Sequence, residues 1–437
     1  MKNKIFILVI SAISLTFIGT TTYAQSSMGS FENAQKKTVQ DLYVSTLAGS
    51  GTAGFADGSG TAAGFNKPGG IAVDSSGNVY VADSNNHRIR KIDRTGEVST
   101  LAGSGTKGFA DGHGTAAKFN RPMGVAVDRA GNVYVADTSN HRIRKIESTG
   151  RVSTLAGTEY GYADGSGTSA KFNSPWDIAV DSSGNLYVAD AYNHMIRKID
   201  HTGEVSTLAG DGTKGFADGP GISAKFDYPY GITVDRAGNI YVADSGNHRI
   251  RKIDSTGQVS TLAGDETGNV FYSPLSVTVD NTGNVYARDL SRIRKIDNTG
   301  QVSVLFDSEY GYADGFEISA KYTFFHSIVI DATGNFYFSD TDNNRIRRIT
   351  YGEPEPAVKL GELIGTIGAF DGADVIVNGT TDAIGRQAPI GSVLIVEADG
   401  QYIYLQSIFP MQTIVKCRVT SGDRSQIKRG MKVYLKP

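Results

Sequence analysis

One stretch of sequence recurs six times along this chain. PGGIAVDSSGNVYVADSNNHRIRKID at residues 68 to 93 returns as PMGVAVDRAGNVYVADTSNHRIRKIE, PWDIAVDSSGNLYVADAYNHMIRKID and PYGITVDRAGNIYVADSGNHRIRKID. Two degraded copies follow, PLSVTVDNTGNVYARDLSRIRKID from residue 274 and FHSIVIDATGNFYFSDTDNNRIRRIT from residue 325. The aspartate ending each Y-V-A-D segment falls at Asp83, Asp137, Asp190, Asp244, Asp289 and Asp340, a period of 45 to 54 residues. Such a period means a repeat architecture, in which each copy is one unit that buries its apolar face only against its neighbours.

Within a unit, I-A-V-D and N-V-Y-V-A-D are β-branched runs separated by a Gly-Asn turn, and R-I-R-K-I and V-S-T-L-A-G are two more around a T-G turn. Four antiparallel strands make one propeller blade, and six blades close a ring that leaves no long exposed sheet edge. An open solenoid is the competing arrangement. The V-S-T-L-A-G strand starts at residues 44, 98, 152, 205 and 259, with VSVLF at 302, and nothing like it follows the last R-I-R-R-I. Residues 44 to 49 are therefore expected to supply the outer strand of the sixth blade, pairing near Arg345 to Thr350. The fold class that follows is all-β: a six-bladed β-propeller with an N-terminal strand closing the last blade.

The run P-x-G-I-A-V-D-x-x-G-N-V-Y-V-A-D-x-x-N-H-R-I-R-K-I resembles the NHL repeat, and the resemblance extends over residues 41 to 350. It implies a six-bladed propeller that in most relatives is a binding scaffold for protein, carbohydrate or nucleic acid. In a minority it is an enzyme, such as the peptide-amidating lyase or the lactonases. The fold alone does not decide between them.

Outside the repeats, Lys2 and Lys4 precede an apolar run from residue 5 to 18 and the stretch GTTTYA. Residues 1–24 read as a signal peptide, with an uncleaved anchor as the competing reading, so the protein is expected to be exported to a periplasmic, cell-surface or extracellular location. Residues 25–40 form a linker, 41–351 the propeller, and the proline-containing GEPEPAVKL at 352–360 a second linker. Residues 361–437 alternate apolar and polar side chains around D-G and G-D turns. They read as a small all-β domain, vaguely similar to barrel-like modules of bacterial envelope proteins. The single cysteine, Cys417, excludes an intramolecular disulfide; its alternation with Val415 and Val419 makes it a core thiol. Lys plus Arg number 43 against 45 Asp plus Glu, so no global charge attracts nucleic acid or an anionic membrane. No nucleic-acid partner and no membrane span after signal removal are expected, and the protein is read as a monomer.

Three recurring motifs suggest chemistry, and each has a structural reading. Gly103, Gly105 and Gly108 form G-x-G-x-x-G after a strand, but a nucleotide turn also needs a helix immediately behind it, and Gly112, Gly114 and Pro122 leave no room for one. The F-A-D-G aspartates Asp57, Asp111, Asp164, Asp218 and Asp314 are spread one per blade rather than gathered into an oxygen cage for Ca²⁺, so they are read as turn formers. His87, His141, His194 and His248 lie in a turn away from the axis, where they cannot converge on one ion. No metal, no cofactor and no catalytic residue is assigned. The R-I-R-K-I strands form a cation-rich band toward the outer flank, offset by Asp93, Glu147, Asp200 and Asp254.

Differences between copies carry more information than the shared sequence. The loops leading into the first strand and those joining the second to the third emerge on one face. There the residue after the leading proline is Gly69, Met123, Trp176, Tyr230 and Leu275, with His326 in the last copy. The next residue is glycine in three blades but Asp177, Ser276 and Ser327 in the others. With Tyr192 and Tyr228 nearby, a ligand site is expected at Trp176, Asp177, Tyr192, Tyr228, Tyr230 and His326, for a protein, peptide or glycan. In the competing reading Trp176 and Tyr230 only plug the channel mouth. The function expected is non-enzymatic binding; a metal-dependent lyase or lactonase-like hydrolase and a structural surface or matrix component are the alternatives.

Overall fold

The computed structural model describes residues 42–316 and 319–351 in full, and by backbone path the strands lying between residues 363 and 435. The chain divides into two compact units, Met1–Pro354 and Glu355–Pro437. The proposed signal peptide and both linkers lie outside the described residues, apart from the end of the propeller itself.

The first unit is a six-bladed propeller, and the third blade shows its plan. Pro175–Val180 lines the channel, followed outward by Leu186–Asp190, Met195–Ile199 and Glu204–Ala209. The second strand of every blade is buried at all five positions, because both of its faces meet a neighbouring blade. That is why Y-V-A-D reads as a continuous apolar run. The turn before it is fixed by one aspartate. Asp74 Oδ1 accepts from the backbone N–H groups of Ser76 and Asn78, while Oδ2 accepts from Asn78 Nδ2 and the Tyr80 hydroxyl. The D-x-x-G-N-x-Y spelling is therefore one hydrogen-bonded device, repeated for example at Asp181 and Asp331.

Ring closure follows the sequence expectation. Leu42–Ala48 pairs antiparallel with Arg345–Tyr351, placing Val44 opposite Ile349 and Ala48 opposite Ile346. Each blade except the fifth also carries a strand the sequence did not announce. The two-residue segment Gly58–Ser59 pairs with Val98 and Glu97, and Gly315–Phe316 pairs with the closing strand at Val44 and Tyr43. The F-A-D-G loop folds back onto the outer strand of its own blade and covers its edge; the fifth blade, which lacks F-A-D-G, stops at four strands.

Two sequence readings are corrected here. R-I-R-K-I is not simply a cation-rich band offset by Asp93, Glu147, Asp200 and Asp254, because the central arginine of the strand is fully buried in five blades: Arg90, Arg144, Arg197, Arg251 and Arg347 are among the largest fully buried side chains. Nor are the F-A-D-G aspartates simple turn formers. Arg90 donates from Nη1 to the buried Asp83 at 2.9 Å and from Nη2 to Asp57 at 2.6 Å, and also reaches the carbonyls of Ala56 and Gly64. The same pairs recur at Arg144 with Asp137 and Asp111, and at Arg347 with Asp340 and Asp314. A buried guanidinium must satisfy its donors, and the folded-back loop brings it both a carboxylate and a carbonyl. Burial, opposed first by the arginine charge, still pushes Asp190 and Asp244 up to about 6.

The second unit is a closed barrel of six strands. Leu363–Asp371 pairs with Asp374–Gly379, which pairs in turn with Ile414–Ser421; Gln401–Pro410, Val393–Ala398 and Lys432–Leu435 complete the circuit back to the first strand. Cys417 sits on Ile414–Ser421 opposite Val375; the core placement expected for its side chain lies outside the described residues.

Candidate functional site

Pro175 lies opposite Asp190 and Pro229 opposite Asp244, so the loops entering the inner strands and the turns between second and third strands do share one face. Each turn ends on a residue in the left-handed region, with φ of 53° at His87, 56° at His141, 55° at His194 and 57° at His248. The histidine rings do not converge. Each spans to the following blade, where Nδ1 accepts from a backbone N–H: Arg121 at 3.1 Å, Ser174 at 3.0 Å, Tyr228 at 3.2 Å and Ser273 at 3.1 Å. In the sixth blade the Asn344 side-chain oxygen does the same for Lys67 at 3.0 Å. These residues are clasps between blades. An acceptor nitrogen requires a neutral ring, and burial first lowers the pKa of His87, His141 and His194 below 6.5.

Asp177 belongs to a second ring of inter-blade contacts at the channel rim. Its Oδ2 accepts from the Ile232 N–H at 3.1 Å; Ser276 Oγ accepts from Ile328 N–H at 3.1 Å and Ser327 Oγ from Ile71 N–H at 3.3 Å. At Gly70, Gly124 and Gly231 the next blade's backbone comes so close that an added Cβ would collide with it. The glycine-or-polar pattern at this position thus records how adjacent inner strands meet. Burial pushes the Asp177 carboxyl up to about 7.

Above this rim the aromatic residues are in mutual contact. Trp176 Nε1–H donates to His326 Nε2 at 3.1 Å, with the two rings stacked at 5.6 Å. The third and sixth blades stand opposite one another in a ring of six, so this pair is a crossbar over the channel mouth. Tyr230 packs against Trp176 with centroids 4.6 Å apart, Tyr228 stacks on Tyr230 at 6.1 Å, and Tyr192 meets Tyr228 edge-on at 5.3 Å. Burial, then the neighbouring Tyr192 and Tyr228, pushes the Tyr230 hydroxyl up to about 12. Tyr192, 45 % exposed, ends the row in solvent. Five of the six expected site residues therefore form one continuous row of rings, buried at His326 and open at Tyr192, and Asp177 sits in the wall below it.

The channel beneath holds a cavity of 210 Å³ walled by residues of all six inner strands, mostly Ile, Val and Ala with Thr233, Ser276, Thr278 and Ser327, and Asp177 is the only ionisable side chain in its lining. Channel chemistry with a metal ion needs three or more ligands converging. Among the described residues no group of three His, Cys, Asp or Glu is placed to hold an ion.

Sequence reasoning missed Arg288. The fifth blade reads Y-A-R-D where the first four read Y-V-A-D, so an arginine occupies the position of the fully buried Ala82, Ala136, Ala189 and Ala243. It is 2 % exposed, and its guanidinium lies 4.1 Å from the ring centre of Phe324.

The NHL repeat family matches residues 65–92, 119–146, 172–199 and 226–253, the inner three strands of the first four blades. This is an NHL-repeat β-propeller protein. The propeller is 34% identical over 253 residues to human NHL repeat-containing protein 2, a match spanning 47% of this chain and 34% of that one. It is 31% identical over 282 residues to Protein SUPPRESSOR OF QUENCHING 1, chloroplastic, of Arabidopsis thaliana, covering 48% of this chain and 27% of that protein. The chain thus spans about a third of the length of these relatives or less. Among solved structures it resembles a Bacteroides thetaiotaomicron protein of unknown function, with a TM-score of 0.53, 22% identity and coverage of 71% and 76% of the two chains. A gluconolactonase from Xanthomonas campestris superimposes with a TM-score of 0.50 at 14% identity, covering 72% of this chain and 92% of that one. At such identities the likeness is one of fold.

Proposed function

We propose that this NHL propeller is a non-enzymatic binding module of an exported protein, and that its ligand, a protein, peptide or glycan, seats on the aromatic surface at the channel mouth. The observation that carries this reading is the unbroken row from Trp176 through Tyr230 and Tyr228 to Tyr192, with Trp176 and Tyr230 standing where other blades have Gly69, Met123 and Leu275. Flat rings that are already ordered against one another offer contact area at little entropic cost. Export rests on the basic, then apolar, leader, and the mass of the mature chain reads whether cleavage occurs after residue 24.

Glycan and peptide arrays probed with the full chain identify a binder, and calorimetry then compares wild type with Trp176→Ala. A ligand-contacting aromatic costs at least about 2 kcal/mol of affinity when truncated. A plug lowers the melting temperature and leaves affinity intact. Unchanged affinity in the folded variant overturns the site.

A further inference from the structure

Arg288 and His326 stand at the junction of the fifth and sixth blades, and each has polar hydrogens with nothing to receive them. The indole N–H of Trp176 can only donate, so the His326 Nε2 it meets carries the lone pair, and in the neutral ring the proton sits on Nδ1. That Nδ1 is buried and has no hydrogen-bond partner. The Arg288 Nε is likewise buried and unpartnered, as it is in Arg90, Arg144, Arg197 and Arg347, so what sets Arg288 apart is its lack of a carboxylate. Among the described residues no ion pair involves Arg288, in contrast to the five repeat arginines, whose two terminal nitrogens are both bonded.

The acids nearest Arg288 are committed elsewhere. Asp289 accepts from Arg294 at 2.7 Å and from the Tyr272 N–H, and Asp342 pairs with Lys67 at 2.8 Å. Strand pairing sets Arg288 opposite Ser276, and the Ser276 hydroxyl receives the Ile328 N–H, two residues beyond His326. Both unpartnered groups thus lie on the blade-six side of the fifth blade, beside the Trp176 end of the aromatic row. Two rings lie against the guanidinium, the part-exposed Phe324 at 4.1 Å and the buried Phe325 at 5.3 Å. Stacking on a ring does not replace the acceptors a buried guanidinium needs.

We propose that Arg288 and the Nδ1–H of His326 form an anion subsite of the channel-mouth site, receiving the carboxylate of an acidic sugar whose ring stacks on Trp176 and Tyr230. This rests on the aromatic-surface reading and adds the ligand's charge class. A uronate fits because it joins a pyranose ring, whose C–H face packs on aromatic rings, to a planar carboxylate that a guanidinium grips with two parallel N–H donors.

The chain has one tryptophan, so its fluorescence reports this site alone. Full-length protein is titrated with a galacturonic acid trimer and, separately, with the galactose trimer of the same linkage. The uronate is expected to bind at least tenfold more tightly, with a preference that shrinks as salt rises. Arg288→Ala, which restores the residue of the first four blades, should level the two sugars, leave the neutral one unchanged and melt no lower than wild type. Equal affinities in wild type, or a preference that survives in Arg288→Ala, overturn the anion subsite while leaving the aromatic reading standing. Binding of triglutamate in place of the uronate overturns the choice of a sugar. No saturable change with any of the three overturns the acidic-sugar subsite, and the aromatic reading then stands or falls with the arrays and Trp176→Ala. The wild-type comparison decides the matter even if the variant fails to fold.

Discussion

If residues 42 to 48 truly complete the sixth blade, Val44 must be worth as much as its counterparts in blades built from contiguous sequence. Val44 is 0 % exposed, packed in one cluster with Phe306, Tyr322, Phe325 and Phe338. Val152, the same position in the second blade, is 1 % exposed in an equivalent cluster. Val→Ala removes two methyl groups, about 0.8 kcal/mol of transfer free energy each, and leaves a cavity whose walls relax only in part. Val44→Ala and Val152→Ala should each cost about 2–3 kcal/mol, a sizeable share of a typical margin of about 5–15 kcal/mol. Urea unfolding followed by far-UV circular dichroism and by Trp176 fluorescence reads both, the second probe reporting the propeller alone. The informative quantity is their ratio, since any error in the per-methyl value affects the two alike. Should Val44→Ala unfold within about 0.5 kcal/mol of wild type while Val152→Ala is destabilised, the closing strand contributes nothing and the ring is held by other means.

Arg144→Ala leaves Asp137 buried without its counter-charge and should cost about 3–5 kcal/mol, whereas Arg292→Ala, which breaks the exposed 2.9 Å pair with Asp307, should cost about 0–1 kcal/mol; equal urea midpoints for the two would refute the buried-rung argument. The histidine clasps predict a pH dependence: His87, His141 and His194 are neutral in the fold with pKa values held below 6.5, so unfolding takes up protons and their contribution, complete above about 6.5, is lost as pH falls below it. Asp177, pushed up to about 7, runs the other way and weakens the fold as pH rises toward that value. The triple variant His87→Asn, His141→Asn and His194→Asn keeps an acceptor at each clasp, as Asn344 does naturally, and should lose less stability between pH 8 and pH 5 than wild type; an unchanged slope in urea melts would show that the clasps do not titrate.

The repeat and the closing strand were legible because both depend on strand propensity and chain order, which the sequence states directly. The arginine rungs were not. R-I-R-K-I puts charge at alternate positions of a strand, a pattern that normally marks a solvated face, and only the F-A-D-G loop folding back from 33 residues upstream turns the Arg90 face inward. A short loop with Gly and Asp reads as a turn, whereas here it also supplies a fifth strand and a counter-ion. The crossbar was half legible. Trp176 and His326 stand out as departures from their sister blades, yet 150 residues separate them, and only a closed ring of six sets the third blade opposite the sixth. The two sequence readings of Trp176, ligand contact or channel plug, share one geometry, a side chain spanning the mouth, and Trp176→Ala tells them apart. What distinguishes this mouth from an inert plug is the unshared chemistry beside it. A plug needs only apolar volume, which alanine supplies at this position in the first four blades; the proposed anion subsite gives a buried arginine without a carboxylate partner a reason to stand there.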